Sequence, residues 1–153
     1  MNIVIKEVKE LPQAIVELEQ EANKEELALV TRMIEELKSG KNRFDGPGEF
    51  FLTAYDNDKL IACGGLSQQW NENDVEARIG RVRRFYVLPE YRKHGVGKHL
   101  LKYLENKAVV NFSALCLYTD THPAAHFYQK MNYVFVENHP NYNYFKYLIS
   151  THE

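Results

Sequence analysis

Apolar and polar positions alternate at the start of the chain and then change to a helical period. Residues 2–8 (NIVIKEV) alternate with a period of two, which predicts a short strand. Residues 12–22 predict a first helix. In residues 24–39, apolar side chains at Leu27, Val30, Ile34 and Leu37 recur at steps of three and four. That spacing predicts a second helix, which Gly40 should end.

The middle of the chain returns to strand patterns. Residues 49–55 and 59–67 predict two strands, and the Asp-Asn-Asp sequence at 56–58 between them is typical of a hairpin turn. Residues 76–88 predict a longer strand. Residues 92–107 then predict a helix, because Val96 and Leu100 begin an apolar stripe that continues through Leu104.

The last third alternates strand and helix once more. Residues 113–119 (SALCLYT) predict a buried strand. A helix follows to Met131, with Asp120 or Thr121 as its cap and Pro123 in its first turn. Residues 133–137 and 142–149 predict a final pair of strands. The order β-α-α-β-β-β-α-β-α-β-β predicts an α+β fold on a mixed, mainly antiparallel central sheet flanked by helices.

Length and composition fit this pattern. The 153 residues, 44% of them hydrophobic and 26% charged, predict one globular domain over residues 1–153. The charged N-terminus lacks a signal-peptide pattern, and no apolar run approaches a membrane span, so a cytoplasmic protein without membrane contact is expected. Cys63 and Cys116 lie in apolar runs and are expected to be buried free thiols.

Charge is unevenly distributed. The net charge of −2 argues against nucleic acid as a partner, yet residues 77–104 contain eight Lys or Arg and a single acid, Glu90. RNA binding through this basic segment is disfavoured because no aromatic stacking motif accompanies it. The segment fits either one polyanionic small ligand or a solvated strand face.

A glycine pair follows the long strand. Gly95 and Gly97 stand where a turn should open a helix, and the first helical amides lack intrahelical acceptors and favour negative charge. Glycines remove the Cβ atoms that would keep an anion from the backbone. The segment therefore predicts a diphosphate cradle, with a simple turn as the alternative. Neither a Walker A nor a dinucleotide-fold glycine pattern is present.

The strand before this turn shows a phase slip. Its apolar residues fall at Val82, Phe85 and Val87, so the first step is three where alternation requires two. A β-bulge produces such a slip and exposes main-chain groups, with which an amide-bearing ligand arm could pair as an added strand. Alternatively, Arg83 and Arg84 merely interrupt the pattern.

Tyr128 lies on the helix after the buried strand. A phenol there could donate a proton to a leaving thiolate, although a Phe-Tyr pair on a helix is more often core packing. His122 and His126 share a helix face, but without an H-E-x-x-H pattern no metal site is expected.

Two of these segments resemble the sequence motifs of a known protein family. Residues 92–97 (RKHGVG) fit the Arg/Gln-x-x-Gly-x-Gly/Ala motif of the GNAT superfamily of N-acetyltransferases, and residues 124–133 fit its second motif, A-x-x-F-Y-x-K-x-x-Y here. With the element order, the chain resembles that superfamily over nearly its whole length. Two departures stand out, because Asn132 replaces a usual glycine and Thr121 a frequent asparagine.

The resemblance implies acetyl-CoA as the acetyl-donor cosubstrate. It implies that main-chain groups of the bulged strand pair with the pantetheine arm, that the following loop holds the pyrophosphate, and that Lys93 or Lys98 meets the ribose phosphate. The implied cofactor-binding residues are Phe85, Tyr86, Val87, Arg92, Lys93, His94, Gly95, Val96, Gly97, Lys98, Thr119 and Thr121. Arg92 would shape the loop, and Tyr128 would protonate the departing CoA thiolate.

The expected reaction is direct attack by a primary amine of a small molecule or peptide. The amine needs a base, and relatives often place a glutamate in the bulged strand, where Arg81 and Arg83 stand here. Glu76 is the first candidate base, then Glu72 or Asp74, with solvated loop acids as the alternative.

The acceptor pocket is expected between the first two helices and the last hairpin. Its candidate lining residues are Glu25, Glu26, Arg32, Trp70 and Tyr142, which could equally be ordinary surface or core positions. A homodimer is left open. The missing strand glutamate keeps a second hypothesis alive, a catalytically idle acetyl-CoA-binding sensor or interaction module.

Overall fold

The computed structural model describes residues 1–69 and 78–149. Within them the chain forms seven strands and four α-helices in the predicted order. The elements are β1 (Ile3–Glu7), α1 (Ile15–Lys24), α2 (Leu29–Ser39), β2 (Phe50–Asp56), β3 (Lys59–Gln68), β4 (Ile79–Val87), α3 (Val96–Ala108), β5 (Ala114–Leu117), α4 (His122–Lys130), β6 (Val134–Phe135) and β7 (Tyr144–Tyr147).

One sheet in the order β1-β2-β3-β4-β5-β7-β6 forms the centre of the fold. Every neighbouring pair is antiparallel except β4 and β5, which run parallel. The α+β prediction with a mixed, mainly antiparallel sheet is therefore confirmed. Chain connectivity explains the single parallel pair, because α3 carries the chain from the end of β4 back to the start of β5.

The helices bury their apolar stripes on the sheet. Val30 and Met33 of α2 are fully buried, as are Leu100, Leu101 and Leu104 of α3. Side chains of β4 show that these layers cover opposite faces, because Phe85 packs against Phe127 of α4 whereas the Tyr86 hydroxyl reaches Glu25 at the end of α1. The sheet is therefore sandwiched where β4 crosses the molecule.

Helix starts are the main correction to the predicted elements. The second helix begins at Leu29, not at residue 24, because α1 continues to Lys24 and Glu26 then takes a left-handed turn with φ 62°. The third begins at Val96, not at residue 92, because a 3-10 turn (Pro89–Tyr91) and an extended Arg92 precede it. Gly40 ends α2 in the left-handed conformation, as predicted.

The C-terminal strands are shorter than the 133–137 and 142–149 predicted. Of the two predicted caps of α4, Thr121 is the N-cap residue, but its side chain makes no capping hydrogen bond. Asn132 adopts φ 71°, the left-handed conformation that a glycine usually supplies. No helix in the described ranges is long and apolar enough to span a membrane.

Candidate active site

The sheet opens between β4 and β5. These strands pair at only three positions, Ile79 with Ala114, Gly80 with Leu115 and Arg81 with Cys116. Beyond them β5 stays paired with β7, and β4 stays paired with β3 as far as Val87. In the described part of the chain, the β5-facing edge of residues 82–87 therefore has no strand partner. Its main-chain groups border a wedge between the two strands.

A β-bulge lies in the wedge edge, as the phase slip predicted. Cys63 pairs with Tyr86 and Gly65 with Arg83, so two residues of β4 oppose Gly64 alone. Arg84 takes φ 55°, the left-handed conformation that accommodates the extra residue. A Cβ on Gly64 would lie 2.7 Å from Phe85 Cδ2, so glycine is required where that ring crosses β3.

The bulge decides where the neighbouring side chains point. Phe85 and Val87 face α3 and α4, where the Phe85 ring lies 5.9 Å from that of Phe127. Arg83 and Arg84, although consecutive, both reach Glu36 of α2 on the other face. An unbulged strand would have sent them to opposite sides of the sheet.

The loop after β4 forms a concave run of backbone amides. Lys93 and Gly95 have φ of 67° and 81°, and Val96 is already helical. His99 is the first residue of α3 whose amide reaches a backbone acceptor, the Gly95 carbonyl at 2.9 Å. Among the described residues, the amides of 93–98 have no such acceptor. Alternating left- and right-handed residues at a helix N-terminus favour a bound anion.

Glycine is favoured at the two positions of this loop for different physical reasons. Gly95 has no atom within 4 Å of the position that a Cβ would take, so its left-handed φ of 81° alone favours glycine. A Cβ on Gly97 would lie 3.3 Å from the Phe127 ring and 3.7 Å from Val87. Gly97 therefore lets the first turn of α3 pack closely against α4, a role that the sequence prediction of anion access did not include.

Arg92 is held by a cluster that the sequence did not reveal. Its Nε donates to the Val87 carbonyl at 3.0 Å, and its Nη1 and Nη2 donate to Glu25 at 2.6 and 2.8 Å. The Tyr86 hydroxyl donates to the same carboxylate at 2.6 Å. Burial would raise the pKa of Glu25, but hydrogen bonds from Arg92 and Tyr86 and the Arg92 charge outweigh it and lower that pKa. Glu25 is thus an anchor for the loop.

Tyr128 is buried in an aromatic cluster on the wedge. Its ring lies 5.1 Å from Phe127, 5.5 Å from Tyr133 and 6.2 Å from Phe85. Its hydroxyl has no hydrogen-bond partner in the described residues. Every fully buried side-chain oxygen in those residues has such a partner, so the Tyr128 oxygen is not one of the fully buried atoms. The hydroxyl oxygen therefore keeps a small solvent-accessible area, although the residue as a whole is only 6% exposed. Burial raises the pKa of the phenol, which keeps it protonated at neutral pH.

Thr119 and Thr121 lie at the mouth of the wedge, directly after β5. Asn143 fixes this segment, because its Oδ1 accepts from the Thr119 amide at 3.0 Å and its Nδ2 donates to the Thr119 carbonyl at 2.7 Å. The two threonine hydroxyls are 3.5 Å apart. Asn143 was not predicted, since its partner lies 24 residues away.

The described members of the predicted acceptor pocket, Glu25, Glu26, Arg32 and Tyr142, do not form one cluster. Glu72, Asp74, Trp70 and the candidate base Glu76 lie outside the described residues. Glu25 is engaged by Arg92, Glu26 and Arg32 are exposed, and Tyr142 stacks on His139 at 3.7 Å in a separate small cluster.

Two cavities border the site. One of about 450 Å³ lies beside the bulge and is lined by Glu36, Gly40, Lys41, Asn42, Arg43, Asp45, Gly46, Glu49, Ser67, Gln68, Arg83 and Arg84. Another of about 400 Å³ runs along α3 from the amide loop and is lined by Gly95, Lys98, His99, Lys102, Tyr103 and Asn106. The sequence analysis did not identify Glu36 as a site residue, because the helical pattern around it does not indicate a partner 47 residues away.

The thiols are unsuited to nucleophilic chemistry. Cys63 and Cys116 are both buried, and burial raises the pKa of each to about 12. A thiol is nucleophilic as the thiolate, so both remain inert near neutral pH. Across residues 1–69 and 78–149, no three His, Cys, Asp or Glu side chains gather as metal ligands.

Known proteins resemble this architecture. The sequence model of the Acetyltransferase (GNAT) family matches residues 13–133. "Probable N-acetyltransferase 14" of Xenopus tropicalis is 33% identical over 75 residues, which are 48% of this chain and 34% of that protein. The chain thus spans about a third of the length of the curated relative it matches.

Solved structures extend the likeness to the whole fold. A candidate acetyltransferase from Exiguobacterium sp. 255-15 superimposes with a TM-score of 0.82 at 27% identity, over 96% of this chain and 94% of that one. The N-acetyltransferase YlbP of Bacillus subtilis, crystallised with coenzyme A, gives a TM-score of 0.64 at 18% identity, over 95% and 97% of the two chains.

Proposed function

Because the chain belongs to the Acetyltransferase (GNAT) family, we propose that it transfers the acetyl group of acetyl-CoA to a primary amine of a small molecule or peptide. The observation that carries this proposal is the wedge between β4 and β5, whose bulged edge leads directly to the amide loop of residues 93–98. On this proposal, residues 1–153 act as one acetyltransferase domain.

The described residues fit acetyl-CoA as the cosubstrate. Its amide-bearing arm matches the unpaired β4 edge at Phe85, Tyr86 and Val87, which would bind it as an added strand. The amides of Lys93, His94, Gly95, Val96, Gly97 and Lys98 would hold the diphosphate. Acetyl-CoA supplies an activated thioester carbonyl.

Basic side chains near the loop would hold the remaining phosphate. Lys98 and Lys102 line the cavity along α3, which starts at Gly95. Lys93 is exposed on the loop itself. Thr119 and Thr121 would line the opposite side of the wedge, in the position that Asn143 fixes.

The amine would attack the thioester carbon directly. Its nitrogen forms the amide bond as the carbon–sulfur bond breaks, and the sulfur leaves with the bonding electrons. Neither cysteine can serve as an intermediate acceptor, since burial keeps both protonated. No acyl-enzyme is therefore required.

Tyr128 would supply the proton that the leaving sulfur takes up. Its phenol is protonated, keeps a small solvent-accessible area and packs against Phe85 of the β4 edge and Phe127. The amine must lose a proton to a base, for which Glu76 or a water relay remains the proposal. Glu25 and Glu36 are unsuited, because arginines already neutralise both carboxylates.

A thiol-release assay tests the proposal. Purified protein and acetyl-CoA are mixed with polyamines, amino acids, aminoglycosides and peptides with free N-termini, and each acetylated product is identified by mass spectrometry. We expect amine-dependent CoA release for at least one class. CoA binding without release for any class would instead favour the idle sensor.

A further inference from the structure

Arg83 and Arg84 share one carboxylate partner. Arg83 Nη2 lies 3.2 Å from Glu36 Oε2, and Arg84 Nε lies 2.9 Å from Glu36 Oε1. The left-handed Arg84 in the bulge turns both side chains toward α2. The bulge therefore places two positive charges against a single negative charge, in a site where the side chains of Arg83, Arg84 and Glu36 are only 30%, 19% and 10% exposed.

The remaining guanidinium nitrogens are available to a ligand. Glu36 is the only hydrogen-bond partner of the Arg83 and Arg84 side chains in the described part of the chain. Every fully buried side-chain nitrogen in the described residues has a hydrogen-bond partner. The guanidinium nitrogens of Arg83 and Arg84 that do not contact Glu36 have none, so they are accessible to solvent. Both side chains line the 450 Å³ cavity, from which a ligand could reach these donors.

The other acids of the cavity offset its positive charge only in part, because the lining carries four basic side chains (Lys41, Arg43, Arg83, Arg84) and three acidic ones (Glu36, Asp45, Glu49). Glu49 Oε1 accepts from the Gly46 amide at 3.0 Å, and its Oε2 accepts from the Gln68 amide at 2.7 Å. Asp45 is exposed at the rim, as are Lys41 and Arg43. Burial lowers the pKa of Arg83; the Glu36 and Glu49 charges oppose this shift, and the Arg84 and Arg81 charges add to it. The cavity lining therefore keeps one net positive charge.

The cavity adjoins the proposed reaction centre. Arg84 is the bulge residue itself and directly precedes Phe85, the start of the edge proposed to hold the cosubstrate arm. A molecule held by Arg83 and Arg84 would therefore lie against the face of β4 opposite Tyr128. A volume of about 450 Å³ is within the range of small-molecule sites.

We infer that this cavity binds the acceptor, and that the acceptor is a primary amine carrying an oxyanion, a carboxylate or phosphate, which Arg83 and Arg84 recognise. The guanidinium group presents paired N–H donors that match both oxyanions. The inference rests on the proposed function and names its substrate class. It also explains why arginines stand here, where a cationic or neutral amine would gain nothing from them.

Matched amines test the inference. Glycine, β-alanine and γ-aminobutyrate are compared with their carboxamides, phosphoethanolamine with ethanolamine, and putrescine serves as a cationic acceptor. We expect kcat/KM to be about 10- to 100-fold higher for the anionic member of a pair, the range of charge-assisted hydrogen bonds. The carboxylate and phosphate arms distinguish the two oxyanions.

Two outcomes have different meanings. Equal or better use of the carboxamides or of putrescine overturns the inference and leaves the proposed acetyl transfer intact. Release with none of these amines contradicts acetyl transfer to this class, and calorimetry of the same pairs against the CoA complex then decides whether the oxyanion is recognised. Equal heats for both members would overturn the inference.

Variants identify the residues. In Arg83→Gln, Glu36 keeps its Arg84 partner, so the protein should fold, and the anionic preference should fall about 10-fold through KM. Arg78→Gln removes the same charge from an exposed residue outside the cavity and should leave the preference unchanged.

Glu36→Gln should change KM for the anionic amines in the opposite direction. It releases both arginines from their carboxylate, so KM for the anionic amines should fall. If Glu36 instead bound the amine, KM would rise in this variant, and the inference would be wrong. Thermal unfolding of each variant shows that the folded protein is being assayed.

Discussion

At the residue scale, Tyr128 joins two properties that rarely coincide. Its ring is packed among Phe85, Phe127 and Tyr133, while its hydroxyl has no hydrogen-bond partner in the described residues and keeps a small solvent-accessible area. The apolar packing raises the pKa of the phenol and fixes its direction. The same surroundings would disfavour a thiolate, which lessens the cost of moving a proton to it.

We expect Tyr128→Phe to lower kcat by about 10²- to 10⁴-fold, because a general acid is lost while the ring packing is kept. The dissociation constant for CoA should change little. Since the phenol pKa lies above its ordinary value of 10, ionisation of Tyr128 should not shape the kcat profile below about pH 10. An unchanged kcat would reject the acid role.

The Glu25 and Arg92 pair joins residues 67 apart in the chain. It connects the end of α1 to the amide loop, with Tyr86 as a third member. Glu25 has a lowered pKa, so the pair stabilises the fold above the ordinary value of 4.5, and this contribution is lost as the pH falls through the lowered pKa.

Glu25→Gln and Arg92→Gln should each lower the free energy of unfolding by about 1 kcal/mol, a figure reduced for solvent screening because the Arg92 side chain is 41% exposed. The double variant should cost less than the two single changes added together. Urea unfolding at neutral pH measures the cycle. Additive losses would show that the two residues do not act as a pair.

At the element scale, the positions of the bulge and the amide loop could be predicted from the sequence. The contacts that these two elements make could be predicted only in part. The three-residue step from Val82 to Phe85 located the bulge, because strand alternation is a local property of sequence. The start of α3 was placed too early, since no residue type signals that Arg92 is extended. Glu36 and Asn143 could not be found, because their partners are distant in the chain.

A graded pair of substitutions at Gly97 tests the loop. In Gly97→Ala the added methyl group would lie 3.3 Å from Phe127, which a small ring movement can relieve, whereas Gly97→Val adds further methyl groups that should push α3 away from α4. We expect CoA affinity to fall only slightly in the first and at least about 10-fold in the second, roughly the cost of one displaced charge-assisted hydrogen bond. Calorimetry measures both.

Circular dichroism supplies the control for Gly97. A Gly97→Val protein with native secondary structure and native CoA affinity would contradict the cradle. If the Gly97→Val protein fails to fold, the test uses Gly97→Ala alone. The CoA affinity of that variant is then compared with the affinity of the wild type.

At the scale of the whole molecule, the two parts of the sheet are joined narrowly. Strands β1 to β4 meet β5 to β7 through only three residue pairs in the described chain. A ligand bound along the β4 edge and the segment after β5 would contact both parts. We therefore expect cosubstrate binding to stabilise the protein as a unit.

CoA at 100 times its dissociation constant should stabilise the fold by about 2.7 kcal/mol. For a chain of this length that corresponds to a rise in Tm of about 5–10 °C. Scanning calorimetry with increasing CoA measures the rise, and Gly97→Val serves as the matched control in which the rise at the same CoA concentration should be about half as large or smaller. Hydrogen exchange should show new protection at residues 82–87; protection elsewhere alone would place CoA at another site.

The extra residue in β4 has a consequence for engineering. With Arg84 removed, Val82, Phe85 and Val87 would still share one side of the strand, and Arg83 and Tyr86 the other, because only one residue separates the bulged strand from strict alternation. Gly64 would then oppose Phe85 alone. Deleting Arg84 should therefore keep the register of β3 and β4 while removing the bulge together with the Arg84–Glu36 ion pair.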